Sequence, residues 1–223
     1  MPTHEFSLCG RHVFAFGEKV AAQDRDDLLL SNLLAQLVSD KKQIACSESW
    51  RADYLQNLGK LGWVMTEVHN QQAVFDPGQP VELMHLLSAQ LLKIVSSPEL
   101  DTGRALLEVI SEPSSFTQAV EAKILLPDVG SAEPTAMEII NRVSLTLIMV
   151  TDTKSLHAVN LVFETLEHPA SPIVRHSFQP HQLRSDIRVH HSVVSLSNRY
   201  SALRAGVIAK LGEKADELIV PWH

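Results

Sequence analysis

The sequence has few of the residues that support covalent or nucleotide-dependent chemistry. Among 223 residues there are two cysteines, Cys9 and Cys46, and aromatic residues make up 5% of the chain. The cysteines form no CxxC motif and could make at most one disulfide, so free thiols in a reducing compartment are expected. GxxxxGK[ST], GxGxxG and GxSxG are all absent, which argues against a P-loop, a dinucleotide fold and a serine hydrolase.

Long apolar runs are absent as well. No stretch reaches the roughly twenty apolar residues that a membrane helix requires. The first twenty positions lack the basic start of a secretory signal, and Arg11, His12 and Glu18 interrupt their apolar residues. Hydrophobic content of 45% and a mean hydropathy of +0.02 are ordinary for a globular protein. We therefore expect a cytoplasmic protein with no membrane span.

Apolar residues recur at helical spacing in the first half of the chain. The clearest helix runs from the aspartates within 24–27 to Lys42, and a second is expected to begin at Ser47 or Ser49 and to end at Gly62. The first helix has an apolar face and a polar face. The apolar face consists of Leu30, Leu33, Leu34, Leu37 and Val38. The polar face consists of Ser31, Asn32, Gln36 and Ser39.

Further helices are expected before the chain changes character near residue 127. The apolar spacing predicts one over 81–95 and a short one around 106–110, and the Ser115 and Gln118 pair resembles a capping box for a third. The segment "WVMTEVHNQQAVF", which begins at Trp63, fits neither a helical nor a strand period and stays ambiguous.

Alternation of apolar and polar residues predicts strands in the second half. A long strand over 137–150 is followed by the polar link "TDTKS" and a second strand around 159–164, which together predict a hairpin. Two further strands are expected at 173–178 and 187–196. A last helix is expected between Asn198 and Gly212.

These elements predict an α+β protein with one core. Helices occupy about 22–125, and an antiparallel sheet with the last helix occupies about 135–220. Because the sheet and the helices each have an apolar face that the other can cover, we expect residues 1–223 to form a single domain, with the N-terminal helical layer packed on the C-terminal sheet.

Three segments resemble a family of soluble proteins from bacteria and fungi. They are "LLAQLVSDKK", "WRADYLQNLGKLGWVM" and the C-terminal "YSALRAGVIAKLG". A virulence-factor family from Erwinia is similar to that largely uncharacterised set at a greater distance. The resemblance implies a cytosolic α+β protein with a weak link to virulence, and it carries no catalytic residue onto this chain.

The stretch from 172 to 191 is rich in histidine and arginine, although the chain has a net charge of −7. Its arginines, Arg175, Arg184 and Arg188, are the candidate binding residues for an acidic protein surface. An anionic small molecule or RNA is a weaker candidate ligand, because few aromatic residues accompany them.

Histidine is the commonest metal ligand and general base, so the same stretch also holds the catalytic candidates. A hairpin centred near Gln182 could bring His176 beside His190 or His191, with Asp186 as a third zinc ligand or catalytic group. His190 and its neighbour His191 would point to opposite faces of a strand and could not share one metal. Cys46, just before the second helix, is a further candidate nucleophile.

Two functions of different kinds follow from these residues. The first is association, with a second copy as a homo-oligomer or with another protein, through the sheet edge and the histidine-arginine stretch, without a cofactor. The alternative is a small hydrolase or lyase that uses His176, His190 and Asp186, with or without zinc.

Overall fold

The computed structural model describes residues 4–43, 47–73, 78–94, 97–127, 140–150 and 155–222, and groups of strands and groups of helices follow one another along the chain. Within these ranges the strands are β1 (Glu5–Cys9), β2 (His12–Phe16), β3 (Trp63–Gln72), β4 (Val81–Glu82), β5 (Leu125–Pro127), β6 (Asn141–Val150), β7 (Ser155–Thr165), β8 (Ser177–Phe178), β9 (Arg188–Leu196) and β10 (Ile219–Pro221). The helices are α1 (Ala22–Asp40), α2 (Glu48–Lys60), α3 (Leu83–Ile94), α4 (Ser97–Ser111), α5 (Ser115–Ile124), α6 (Tyr200–Leu211) and α7 (Lys214–Leu218).

One mixed sheet organises the described residues. Its strand order is β10-β1-β2-β6-β7-β9-β3, and β5 pairs with the first residues of β6. Neighbouring strands are antiparallel except β2 and β6, which are parallel. The predicted hairpin of β6 and β7 is confirmed. Of the ambiguous segment after Gly62, Trp63–Gln72 form a strand at the edge of this sheet.

Helices cover both faces of the sheet. Val143, Leu145 and Leu147 of β6 belong to a buried cluster with α3, α4 and α5, whereas Ile148 and Val150 belong to a second cluster with α1, α2 and α6. Successive side chains of a strand point to opposite faces, so each cluster is the core of one side. The predicted α+β fold with helices packed on a sheet is confirmed, and the helices form two layers where the sequence predicted one.

The N-terminal hairpin of β1 and β2 was not predicted. Its side chains are buried on both faces of the sheet from Phe6 to Phe16, apart from the turn, so they show no alternation of apolar and polar residues. The turn uses Gly10, whose φ of 60° is in the left-handed region. A Cβ atom at this position would lie 2.5 Å from Oε1 of Gln36, so the turn also rests directly on α1.

The polar face predicted for α1 is buried. Ser31, Asn32, Gln36 and Ser39 are inaccessible, because α1 lies between the sheet and α2 and α6. Their polar atoms have partners inside the protein, as buried polar groups require. The Gln36 amide donates to the Cys9 carbonyl at 2.9 Å and to Asn32 Oδ1 at 2.7 Å. Leu30 and Leu37, predicted to be core residues, are only partly buried.

The strand predicted at 173–178 is replaced by two short 3₁₀ turns, at Ile173–Arg175 and Pro180–Gln182, with the two-residue β8 between them. β8 pairs with β4, so the predicted hairpin between 173–178 and 187–196 is wrong. Pro172 and Pro180 explain the difference, because neither can donate a hydrogen bond to a neighbouring strand. The strand predicted at 187–196 is confirmed as β9.

The C-terminal elements pack against α1 and β1. Arg204 of α6 donates from Nε to Oδ1 of the buried Asp27 of α1 at 2.7 Å, with a second parallel bond beside it. β10 pairs with β1, and the Trp222 ring packs edge-on against Phe6 at 5.5 Å between ring centres. Within the described ranges, no helix is long and apolar enough to cross a membrane.

Candidate functional site

A small cavity lies between α2 and the sheet. It has a volume of about 50 Å³, which accommodates a few water molecules. The α2 helix begins beside this cavity. Its start is fixed by Ser47, whose hydroxyl accepts a hydrogen bond from the Trp50 backbone amide at 3.1 Å. The polar lining of the cavity comes from α2 and from strands of the sheet, and it includes His12, Glu48, Arg51, Tyr54, Asn160 and His190.

His12 is the most buried titratable group of this cavity. Its Nδ1 lies 3.0 Å from Oδ1 of Asn32, an oxygen that can only accept, so Nδ1 carries the proton and Nε2 keeps its lone pair. Burial lowers the pKa of His12 to about 4. The Asn32 amide donates to the Tyr54 hydroxyl at 2.8 Å, and burial raises the pKa of Tyr54. Both side chains are therefore neutral at pH 7.

His190 faces the same cavity from β9. Its Nδ1 lies 2.8 Å from Oδ1 of Asn70, and its Nε2 lies 3.8 Å from the Glu48 carboxylate. Burial lowers the pKa of His190 to about 4, and the charge of Arg51 acts in the same direction. The side chain is thus a neutral imidazole that is held by the edge strand and approached by the first residue of α2.

His176 makes separate contacts. Its Nε2 lies 2.6 Å from the Glu167 carboxylate, its Nδ1 accepts from the Ala170 backbone amide at 3.2 Å, and its ring packs edge-on against Phe178. Both nitrogens are engaged locally, in the segment that pairs with β4. The structure therefore does not bring His176 to His190.

Asp186 is exposed, and it lines a shallow cleft together with His190, Arg188 and the end of β3. His176 does not line this cleft. Cys46, the candidate nucleophile, lies outside the described residues. Cys9 is buried, and burial raises the pKa of its thiol, which disfavours the reactive thiolate.

The three candidate arginines differ in their surroundings. Arg175 donates to the Glu112 carboxylate at 2.8 Å, and Arg188 forms an ion pair with Glu48 at the start of α2. Arg184 is exposed, and its backbone amide donates to the Glu164 carbonyl at 2.8 Å. The charges of Arg175 and Arg188 are thus balanced by acidic side chains of the same chain.

The opposite face of the sheet carries a row of imidazoles. His69 of β3 lies directly across from His191 of β9, with parallel rings 5.8 Å apart, and the ring of His157 of β7 follows at 6.3 Å. Glu67, two residues before His69, is on the same face. Glu67 and His69 were not among the predicted site residues. Their spacing of two in "TEVHN" is the signal that would place them on one face once that segment is assigned to a strand.

The edge strand β3 is the most exposed element of the sheet. Of its ten residues only Trp63 is buried. Val64, Met65 and Val68 are exposed by 53, 45 and 43% respectively. β9 pairs with its inner side, and no strand of the described ranges pairs with its outer side. An extended strand with an unpaired backbone edge and three exposed apolar side chains therefore lies beside the histidine-rich β9.

Neither a protein-family model nor a curated protein sequence matches the chain. Solved structures with distant similarity include a delta-endotoxin, at 12% identity over 84% of this chain and 83% of that chain, with a TM-score of 0.49. The activated Cyt2Ba monomer from Bacillus thuringiensis subsp. israelensis has 11% identity, covers 84% of this chain and 99% of its own, and has a TM-score of 0.47.

The Evf virulence factor is a third such structure, with 8% identity over 96% of this chain and 81% of that chain and a TM-score of 0.37. These are distant structural similarities. The expected resemblance to a virulence factor is confirmed in this coarse form, and the functions in the names are those of the other proteins.

Proposed function

We propose that the protein acts by self-association through the outer side of β3, with β9 and its histidine-arginine stretch behind it. The observation that carries this proposal is the ten-residue edge strand with exposed valine and methionine side chains. An edge strand presents backbone N–H and C=O groups that a strand from another molecule can pair with.

The two edges of the sheet differ in the features that normally prevent such pairing. β10, at the other edge, has three residues and ends at Pro221, which cannot donate a backbone hydrogen bond. β3 is long and contains neither proline nor lysine nor arginine. Its one irregularity is a bulge between Met65 and Glu67, which leaves the residues after it in a regular strand. The β3 edge is therefore the better suited to strand addition.

A second copy of the chain is the partner that this edge fits. In an antiparallel pair of two β3 strands centred on Val68, the Val68 side chains would face each other across the symmetry axis. Glu67 of one copy would then lie opposite His69 of the other, on both sides of the axis. Directly opposed groups of opposite charge or hydrogen-bonding capacity stabilise a strand pair, whereas like charges destabilise it.

The alternatives have less support. A histidine-based hydrolase or lyase, with or without zinc, would need His176, His190 and Asp186 at one point, but His176 has its own partner in Glu167. Binding of RNA or an anionic small molecule would need free arginines, and Arg175 bonds a carboxylate of this chain. A cytoplasmic location stays a prediction from the sequence.

Replacing Val68 by lysine is expected to convert an oligomer into a monomer, because the new charge would be repeated at the symmetry axis. Val68 is exposed, so the free energy of unfolding should change by no more than about 0.5 kcal/mol. Sedimentation velocity over a range of protein concentrations measures the change. Val220→Lys, an equally mild substitution of an exposed valine at the opposite edge, is the matched control and should remain oligomeric.

Two results would contradict self-association through β3. The first is an unmodified protein that sediments as a monomer at every concentration. The second is an oligomer that Val68→Lys leaves intact, or that Val220→Lys disrupts as strongly.

A further inference from the structure

We propose that Glu67, His69 and His191 form a binding site for a divalent transition-metal ion of the zinc type. The inference needs residues from one copy of the chain only, so it is independent of self-association. None of these residues except His191 belongs to the stretch that the sequence singled out, and His176 and His190 take no part.

Strand geometry brings the three side chains together. Glu67 and His69 are two residues apart on β3 and project from the same face, and His191 is the direct neighbour of His69 on β9. The potential ligand atoms of the three side chains all lie within 4.8 Å of one another. Tetrahedral zinc with bonds of about 2.0–2.1 Å needs neighbouring ligand atoms roughly 3.3 Å apart.

The remaining gap can close by side-chain rotation alone. Glu67 and His69 are 58 and 59% exposed, so their rotamers can change without disturbing the core. The His69 ring must turn out of its present parallel alignment with His191, because a metal lies in the plane of each imidazole that binds it. His191 is fixed by its burial and supplies the rigid ligand of the site.

A second observation points to a ligand at this place. His191 is 5% exposed, and its Nε2 has no hydrogen-bond partner among the described residues. The Nδ1 atom of the neighbouring His157 is in the same condition. Buried polar atoms without a partner are rare in folded proteins and require an explanation. A metal ion bonded to the imidazole of His191 would supply the missing partner.

The chemistry of the donors selects the class of ion. Imidazole binds a metal ion through the lone pair of its neutral form. Imidazole nitrogen favours zinc, copper or nickel over magnesium and calcium, which prefer oxygen ligands. The Glu67 carboxylate compensates part of the positive charge. Two histidines and one glutamate leave the fourth position open for water or an outside ligand.

The test is zinc titration of tag-free, chelator-treated protein by isothermal titration calorimetry. We expect one equivalent of Zn²⁺ to bind and to raise the thermal unfolding midpoint. His69→Ala and Glu67→Gln should each weaken binding by at least about tenfold. Both are exposed positions, so the variants should fold, and far-ultraviolet circular dichroism verifies this. His85→Ala removes an exposed histidine that pairs with Glu82 elsewhere, and it should bind zinc normally.

Cobalt substitution adds a direct measurement of the ligands. Co²⁺ in a four-coordinate site with nitrogen donors should give visible absorption bands that His69→Ala abolishes. Absence of zinc binding by the unmodified protein would overturn the proposal, and so would equal affinity in His69→Ala, Glu67→Gln and His85→Ala. Val68→Lys separates the two proposals, because Val68 points to the other face of β3: the monomeric variant should still bind one equivalent of Zn²⁺ through its own Glu67, His69 and His191.

Discussion

Replacing Trp63 by alanine should lower the free energy of unfolding by about 3–5 kcal/mol. Trp63 is the first residue of β3 and is 4% exposed, in the core that α1 and α6 share. Its indole Nε1 donates to the Ser31 hydroxyl of α1 at 3.1 Å. The substitution would leave a large cavity under the edge strand and remove its bond to the helix. Since total stabilities are about 5–15 kcal/mol, a loss of this size is severe.

Urea denaturation at fixed protein concentration measures this loss, and two further variants separate its causes. Trp63→Phe keeps most of the ring volume and removes the indole donor, so a loss of about 1–2 kcal/mol is expected. Trp222→Ala removes a tryptophan that is 39% exposed and should cost about 1 kcal/mol. Equal losses for Trp63→Ala and Trp222→Ala would mean that the edge strand is not anchored through Trp63.

Acidification should destabilise the protein through His12. The pKa of His12 is lowered from 6.5 to about 4 in the folded state, because burial disfavours the charged ring. The unfolded chain therefore binds a proton first as the pH falls. The stabilisation is complete above pH 6.5 and is lost progressively as the pH falls towards 4. Between pH 7 and pH 5, His12 alone should account for a loss of about 2 kcal/mol.

His12→Gln is the variant that tests this source of pH dependence. Glutamine can still donate to Asn32 but cannot bind a proton, so the difference in unfolding free energy between pH 7 and pH 5 should be smaller by about 2 kcal/mol. His190 and His191, whose pKa values are also lowered to about 4, should preserve part of the dependence in the variant. An unchanged difference between the two pH values would contradict the assignment to His12.

The helices were predictable because their signals are local. The Ser47 cap, the positive φ of Gly62 and the apolar stripe of α3 follow from neighbouring residues, and the structure confirms them. The side of a helix that becomes buried depends on what packs around it. Ser31 and Asn32 looked like a solvent-facing surface, and they are buried because α2, α6 and the sheet enclose α1.

Residues of the candidate sites were harder to predict, because strand pairing brings them together. His69 and His191 are far apart in sequence, and only the register of β3 against β9 makes them neighbours. Likewise His12 and His190 line one cavity although they come from opposite ends of the chain. The sequence singled out a histidine-rich stretch and predicted that His190 and His191 face opposite sides of a strand. It could not indicate which distant side chains each of them would meet.

The pairing of β1 with β10 and of β2 with β6 has a consequence for biosynthesis. The strands β1 and β2 pair with β10 and β6, which leave the ribosome more than a hundred residues later. Contacts between such distant segments form slowly, since a long loop must close before they gain free energy. The nascent chain therefore exposes the apolar hairpin around Phe14 until β6 has left the ribosome, and it is during this interval that a chaperone would be needed most.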